Sequence, residues 1–399
     1  MKRLLLLTCL VLATAAPTCG GGASSSTSGS SSSSPTPATN FQSIVVNAGP
    51  ANSYFNAAFT SVTICVPGQS SCQTIGGILV DTGSTGLRVL ASSLTLALPQ
   101  QTDAGGAPIA ECFSFLDGFT WGAVQSADIK LGGEQANAVP VQIIGTAGLP
   151  TIPAACADSG VSENTLDTLG ANGVLGVGLF REDCGSSCVG TGSSNPGLYY
   201  SCPSSGCRSI AQPLTRQAQN PVWLFPADNN GILIQLPSVA AGGAVTATGM
   251  MIFGIGTQSD NALGASTVLT VDANGNLSTI YGGQTYGGSY IDSGSNAIFY
   301  LDSKTTGLPV CTQNTDFYCP AALQTQSATI RGINGTTSAV PFNVGNADAL
   351  NGRFSAFSEV AGPNPGGFAW GLPFFFGRTI FTAIEGQTTP GGVGPYFAF

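Results

Sequence analysis

Two short motifs, one in each half of the chain, place an acid where it could do chemistry. Asp81 and Asp292 each end an apolar run, and each is followed by a hydroxyl residue, a glycine and a second hydroxyl residue. A carboxylate beside an apolar strand is stable when its oxygens accept hydrogen bonds, and a glycine lets the backbone turn amides and hydroxyls towards them. The repeated pattern therefore predicts two built carboxylate sites.

The composition limits what other chemistry is open to the chain. Its 399 residues include no histidine, 11 Lys and Arg residues, and 20 Asp and Glu residues. Without histidine there is no Ser-His-Asp triad, no Cys-His nucleophile and no histidine-ligated metal, so acid–base chemistry would depend on carboxylates. A net charge of −9 leaves few cations for phosphate contacts, which argues against nucleic acid as a partner. We expect no cofactor and no metal ion.

A third sequence of acid, hydroxyl residue and glycine, Asp-Ser-Gly at residues 158–160, provides an internal control. It follows Ala157 instead of an apolar strand, and it lacks the second hydroxyl residue. Because Asp-Ser-Gly is common in turns, we predict an ordinary turn there.

The elements that must position the two acids are short strands. Runs of β-branched and aromatic residues alternate with Gly, Asn, Asp and Pro, which is typical of all-β proteins. Helical periodicity is scarce, and one short helix is predicted at residues 209–217. The predicted strands include residues 43–46, 61–65, 75–80, 127–131, 139–144, 231–236 and 250–255.

The N-terminus has the pattern of an export signal. Lys2 and Arg3 precede an apolar run at residues 4–12 that is too short to span a membrane. We predict a signal at residues 1–19 with Cys19 as a lipidation site, as in bacterial lipoproteins; ordinary cleavage after residues 13–15 is the alternative. Residues 20–40 predict a flexible tether. The protein would then be exported and held by a lipid anchor facing the periplasm or cell surface, or be soluble and secreted.

The remaining cysteines fit an exported protein. An even number of cysteines in an oxidising compartment predicts disulfides, and short loops favour Cys65–Cys72 and Cys311–Cys319. A zinc site at residues 184–207 is the less favoured alternative, because its spacings are wider than usual. The ten cysteines are Cys65, Cys72, Cys112, Cys156, Cys184, Cys188, Cys202, Cys207, Cys311 and Cys319.

Each acid is followed, further along, by an apolar run that reaches a glycine and continues, at residues 172–178 and 368–373. With the two acid motifs, these runs resemble the pepsin-like aspartic proteases from about residue 41 to residue 399, and residues 249–254 and 374–381 add to the resemblance. Together with the lipoprotein start, the motifs look closest to a family of functionally uncharacterised bacterial lipoproteins with this fold.

The resemblance implies an all-β, bilobal double β-barrel with an inter-lobe cleft and few short helices. The lobes would be residues 41–215 and 216–399. Asp81 and Asp292 would share one proton and activate a water that attacks a peptide bond, without histidine or metal. The resemblance also assigns residues that support the dyad. Thr82 and Ser293 would bond across the lobes, and Gly83 and Gly294 would form the turns. Ser84 and Ser295 would bond to the outer carboxylate oxygens.

The flap, the hairpin that closes over substrate in pepsin-like enzymes, departs from the family. The hairpin is predicted at residues 113–122, with Trp121 at its end and Phe115 at the position where the family has a tyrosine. Arg88, in the first acid motif, stands where the family has the tryptophan that hydrogen-bonds to that tyrosine. Both ends of one hydrogen bond are therefore replaced, which leaves no orphan donor but puts flap closure in doubt. The alternative to a role in the cleft is packing for Phe115. For Arg88 the alternative is a solvated or structurally paired cation.

Two functional classes are open. One is an aspartic endopeptidase that cleaves extended peptides between apolar side chains; the other is a protein of the same fold that binds a peptide or other partner without cleaving it. The tether carries no lysine to occupy the dyad, so an enzyme would need no processing. We expect a monomer, because both acids lie in one chain, and membrane contact only through the N-terminal lipid.

Overall fold

Strands dominate the fold because β-branched and aromatic residues pack well on a pleated surface, while the many glycines and prolines end each run. The computed structural model describes residues 40–192 and 194–399. It is mostly β, so the all-β prediction is confirmed. The predicted signal and residues 20–39 of the predicted tether lie outside the described residues. Asn40, predicted as the tether's last residue, is instead buried and bonded to Phe253.

The first part of the described chain contains β1 (Phe41–Val46), β2 (Ala58–Cys65), β3 (Cys72–Asp81), β4 (Thr85–Leu90), β5 (Ile109–Ser114), β6 (Gly118–Leu131), β7 (Glu134–Ile144), β8 (Val161–Ser162), β9 (Gly173–Val177), β10 (Tyr199–Ser201) and β11 (Arg208–Ser209).

The rest contains β12 (Gly231–Gln235), β13 (Ala247–Phe253), β14 (Val268–Thr270), β15 (Leu277–Tyr281), β16 (Gln284–Ile291), β17 (Ile298–Leu301), β18 (Gln324–Arg331), β19 (Thr337–Val344), β20 (Ala361–Gly362), β21 (Asn364–Trp370), β22 (Thr379–Ala383), β23 (Thr388–Thr389), β24 (Gly392–Val393) and β25 (Tyr396–Ala398).

Helices are short. The α-helices are α1 (Ala154–Ala157), α2 (Leu166–Leu169) and α3 (Ser303–Thr306), and the 3-10 turns are Ala91–Ser93, Gly185–Cys188, Leu214–Arg216, Pro221–Leu224, Ala347–Ala349 and Leu372–Phe374. The helix predicted at residues 209–217 is wrong. Ser209 lies in β11 and pairs with Tyr200 of β10, and within the predicted range only Leu214–Arg216 forms a 3-10 turn. Gln212 and Gln217 are buried with their amides bonded to backbone carbonyls, which holds the segment in an irregular path.

The same three-strand arrangement supports each acid motif. β9 lies between β3 and β4, parallel to β3 with Asp81 opposite Gly176, and antiparallel to β4. β21 lies between β16 and β17 in the same way, with Ile291 opposite Trp370. The glycine-containing runs thus pair with the strands that carry the acids, as the sequence predicted.

One large sheet includes strands from both predicted lobes. β1 pairs antiparallel with β13, and β12 joins β13 to β22. The seven-stranded sheet, by contrast, is built from β15 to β21 alone. The boundary between residues 215 and 216 stays a prediction.

Five disulfides close loops in the described chain. Cys65–Cys72 and Cys311–Cys319 are confirmed, and Cys112–Cys156, Cys184–Cys188 and Cys202–Cys207 complete the set. The zinc alternative is wrong because the four sulfurs it needs are bonded in pairs. Such disulfides indicate an oxidising, exported environment. No helix within the described residues is long and apolar enough to cross a membrane.

Candidate active site

The first acid loop connects β3 to β4. Asp81 ends β3 and is only 6% exposed, and its Oδ1 accepts a hydrogen bond of 2.8 Å from the N–H of Gly83. Ser84 Oγ is also buried, but it has no hydrogen-bond partner of standard geometry among the described residues. The hydroxyl nevertheless lies close enough to the Asp81 carboxyl to lower its pKa, so the role assigned to Ser84 stays a prediction.

The second acid loop gives its carboxylate more donors. Asp292 follows β16, and its Oδ1 accepts from the N–H of Gly294 at 2.7 Å. Its Oδ2 accepts from Ser295 Oγ, also at 2.7 Å, as the sequence predicted. Asp292 thus accepts two hydrogen bonds of standard geometry from its own loop.

The two loops bind each other through a reciprocal pair of hydrogen bonds. The N–H of Thr82 donates to Ser293 Oγ at 3.1 Å, and the N–H of Ser293 donates to Thr82 Oγ1 at 2.9 Å. Ser293 Oγ in turn donates to the carbonyl of Val80 at 2.8 Å. All three groups are buried, so these bonds fix the loops without competition from water.

The structure brings the two predicted acids together. A Cβ placed on Gly294 would lie 2.7 Å from Oδ1 of Asp81 and 3.1 Å from Oδ1 of Asp292, so the two carboxyls face each other at close range. Burial first, and then the charge of Asp292 and the hydrogen bond with it, raise the pKa of Asp81 well above its ordinary value; the Ser84 hydroxyl nearby and the Gly83 N–H oppose the shift. Two carboxyls this close do not both ionise readily, so the pair favours one shared proton.

Glycine is required in both loops because the opposite acid occupies the space of a side chain. A Cβ on Gly83 would lie 2.7 Å from Cγ of Asp292, and a Cβ on Gly294 would lie 2.7 Å from Oδ1 of Asp81. These distances are shorter than the approach of a Cβ atom to other heavy atoms in proteins. Glycine at both positions is what allows the carboxyls to meet.

The predicted flap hairpin is present as the turn between β5 and β6. Phe113 pairs with Thr120, and the N–H of Phe115 donates to the carbonyl of Gly118 at 2.7 Å. Phe115 is partly buried against a small apolar cluster, while Leu116 at the tip is 87% exposed. The tip therefore offers apolar surface and no hydroxyl at the position of Phe115.

Arg88 is fully buried, which excludes both a solvated cation and a residue lining an open cleft. Its Nη2 contacts Glu111 Oε1 at 2.5 Å and Asp183 Oδ2 at 3.1 Å, and its Nη1 donates to the carbonyl of Thr85. Of the alternatives, the structurally paired cation is the one observed.

Trp121 is a packing residue and not part of an open cleft, which corrects its predicted position. It is 4% exposed, and its ring lies edge-on to Tyr200 with 5.3 Å between centroids. The same cluster holds the Cys112–Cys156 disulfide. Its place on β6, opposite Cys112, turns the side chain into this cluster.

Residues 36–399 match the family described as "Protein of unknown function (DUF3443)". The chain belongs to this family. A crystal structure of an aspartic proteinase from Irpex lacteus is similar to it, with a TM-score of 0.52 and 16% identity, over 90% of this chain and 96% of the other. At that identity the likeness establishes the fold alone, and the predicted pepsin-like fold is confirmed. No curated protein matches the sequence.

Sequence reasoning missed a residue that steadies the second acid loop of this DUF3443 protein. Asn56 is buried in the left-handed conformation, with φ of 49°. Its Nδ2 donates to the carbonyls of Asn296 and Phe357, each at 2.9 Å, and its Oδ1 accepts from the N–H of Phe357. Asparagine tolerates this conformation better than most residues, but its partners lie too far along the chain to be inferred.

One set of side chains within residues 40–192 and 194–399 has the spacing of metal ligands, namely Cys311, Cys319 and Asp348. Its two sulfurs are joined in a disulfide, so they are not thiolate ligands. This set does not fit a metal ion.

Proposed function

We propose that this protein is an exported aspartic endopeptidase in which Asp81 and Asp292 activate a water. The closeness of the two buried carboxyls, whose Oδ1 atoms lie 2.7 Å and 3.1 Å from the Cβ position of Gly294, carries the proposal. Each acid ends a strand in the same three-strand arrangement, and each loop needs its glycine to let the other acid approach. The pepsin-like fold is consistent with this activity, although a fold alone does not establish function.

The unequal surroundings of the two acids suggest their roles. In standard geometry Asp292 accepts from Gly294 and Ser295, whereas Asp81 accepts from Gly83, with the Ser84 hydroxyl nearby but not in standard geometry. We therefore assign the shared proton to Asp81, which would polarise the scissile carbonyl, and the negative charge to Asp292, which would take a proton from the water. The water's oxygen then bonds to the carbonyl carbon, and a proton passes to the leaving nitrogen as the C–N bond breaks.

The substrate would be an extended peptide with apolar side chains on both sides of the cleaved bond. Apolar surface at the flap tip, with Leu116 almost fully exposed and Phe115 partly buried, supports this preference. We further propose that the chain is a monomer that acts outside the cytoplasm. It would be held by a lipid on Cys19 or, with ordinary signal cleavage, released.

The test is proteolysis by a purified chain that lacks residues 1–19. Unfolded protein is incubated with it between about pH 3 and pH 7, with and without a statine-type inhibitor. We expect inhibitor-sensitive cleavage that is lost in Asp81→Asn and Asp292→Asn. Asp158→Asn is the matched control, because residues 158–160 repeat Asp-Ser-Gly in a turn after α1. Cleavage that is absent in the parent, or unchanged in both dyad variants, contradicts the proposal.

A second candidate is a protein that binds an extended peptide without cleaving it. The altered flap favours this candidate, because Phe115 has no hydroxyl and Arg88 is committed to buried carboxylates. Titration calorimetry with peptides, on the parent chain and on Asp81→Asn, distinguishes the two. Equal binding in both, with no cleavage by the parent, supports the binding protein.

A further inference from the structure

Arg88 lies on β4, in the strand that leaves the Asp81 loop. Its guanidinium is fully buried and faces two carboxylates from separate parts of the chain, Glu111 on β5 and Asp183 in the loop after β9. Its Nη1 donates 2.7 Å to the carbonyl of Thr85, the first residue of β4. The cation is therefore bonded both to the start of the strand that leaves the Asp81 loop and to the strand that leads into the flap.

A second contact joins Arg88 to the flap. The guanidinium carbon lies 3.5 Å from the centroid of the Phe113 ring, and Phe113 packs edge-on against Phe115 with 4.9 Å between centroids. Glu111 and Phe113 are two residues apart on β5, so both side chains point to the same face of the strand. Arg88 thus contacts β5 at two neighbouring positions on one face of the strand. The second of these, Phe113, contacts Phe115 in the hairpin turn.

The rest of the cluster holds Arg88 in place. Tyr199 on β10 donates a hydrogen bond of 2.6 Å to Asp183 Oδ1, and its own oxygen accepts from the N–H of Ala218. β10 pairs with β5, where Tyr199 lies opposite Glu111. The cluster therefore joins β4, β5, β10 and the loop after β9.

The buried charges of Arg88, Glu111 and Asp183 are unusual for a cluster whose role is packing alone. Two buried carboxylates face one cation, and burial raises the pKa of Asp183 well above its ordinary value, with Glu111 adding to the shift. Apolar residues of similar volume are often at least as stabilising as a buried ion pair, whereas charged groups fix one geometry. The cluster is suited to holding the flap strand in one position relative to the Asp81 loop.

We propose that Arg88 is a positioning residue for the flap, holding the hairpin of β5 and β6 in one position relative to the Asp81 loop through Glu111 and Phe113. This inference rests on the proposed function for its effect on catalysis, but not for its effect on the hairpin. Arg88 acts through other residues and touches no reacting atom.

The test combines hydrogen exchange at the flap with steady-state kinetics. Arg88→Met paired with Glu111→Gln removes the cation and one charge together, which lowers the risk of an unfolded chain. Phe113→Leu removes only the ring contact and is the milder variant. Arg378→Met is the matched control, since Arg378 also lies over a phenylalanine and donates to a backbone carbonyl, but at Phe374.

In both flap variants we expect amide exchange at residues 113–120 to rise at least about tenfold, because local opening becomes easier, with no change in Arg378→Met. With a peptide substrate we expect KM to rise and kcat/KM to fall about tenfold or more, while the pH dependence set by the dyad is unchanged. Exchange and kinetics within about twofold of the parent in a folded Phe113→Leu and a folded double variant would overturn the proposal.

The two proposals fail separately. If the parent cleaves nothing, the proposed function fails, and the exchange measurement still decides whether Arg88 holds the hairpin. If the parent cleaves peptides but flap exchange and KM do not respond, the role of Arg88 fails and the dyad stands.

Discussion

Thr82 and Ser293 each donate a backbone N–H to the side-chain oxygen of the other. The pair joins two loops that belong to opposite halves of the chain, and both residues are buried. Each bond depends on the hydroxyl of its acceptor residue, so the pair as a whole needs both hydroxyls. The cross-link holds together the two loops that carry Asp81 and Asp292.

Ser293→Ala tests the cross-link. It removes the acceptor for the Thr82 N–H and leaves that donor buried without a partner, which costs about 1–3 kcal/mol of stability. We expect a lower urea midpoint and a fall in kcat/KM of about tenfold or more, since the dyad geometry loosens. Ser293→Thr, which keeps the hydroxyl, is the control and should recover much of both. A Ser293→Ala chain with parental stability and activity would contradict the role.

Gly83→Ala tests whether the loops need their glycines. The new Cβ would lie 2.7 Å from Cγ of Asp292, so one loop must move. We expect a loss of about 1–3 kcal/mol, as for overpacking, together with nearly complete loss of cleavage. Gly76→Ala is the matched control, because a Cβ there meets no atom within 4 Å. Both quantities can be read from urea unfolding and a peptide assay, and equal behaviour of the two variants would contradict the geometry.

The acid loops could be predicted from the sequence because their signals are local. An apolar run, an acid, a hydroxyl and a glycine are consecutive in the chain, and the pattern occurs twice. The short disulfides Cys65–Cys72 and Cys311–Cys319 were predictable for the same reason, since residues close in sequence are easily bridged.

The surroundings of Arg88 could not be predicted, because its partners are distant in sequence. Glu111 is 23 residues away and Asp183 is 95 residues away, on different elements. A lone carboxylate within the apolar run of β5 was the available signal, but it does not name its partner. The role of Ser84 stays a prediction for a related reason, since small backbone shifts decide whether a hydroxyl reaches a carboxylate in good geometry.

Asp81→Asn tests the raised pKa of Asp81. A carboxyl with a raised pKa favours folding at low pH, and this contribution is lost as the pH rises from the ordinary value through the raised one. We therefore expect Asp81→Asn to be more stable than the parent near neutral pH. The difference should shrink below about pH 4, where the parent's carboxyl is protonated in both states. Urea unfolding between acid and neutral pH measures it, and a constant difference would contradict the shift.

Glu163→Gln tests whether pH loosens the flap tip. Glu163 is mostly buried beside the turn, and its side chain occupies the space of a Cβ on Gly118. Burial, then the charge of Asp117 and the hydrogen bond with it, raise the pKa of Glu163 from 4.5 to about 7. Its contribution to folding is complete below about pH 4.5 and is lost as the pH approaches 7. The loss is about 1–2 kcal/mol, since solvent screens part of the effect.

We expect flap amides to exchange faster at pH 8 than at pH 5 in the parent, beyond the intrinsic pH dependence of exchange. Glu163→Gln should reduce that difference, while Asp167→Asn, which changes an exposed acid on α2, should preserve it; an undiminished difference in Glu163→Gln would remove Glu163 as its cause.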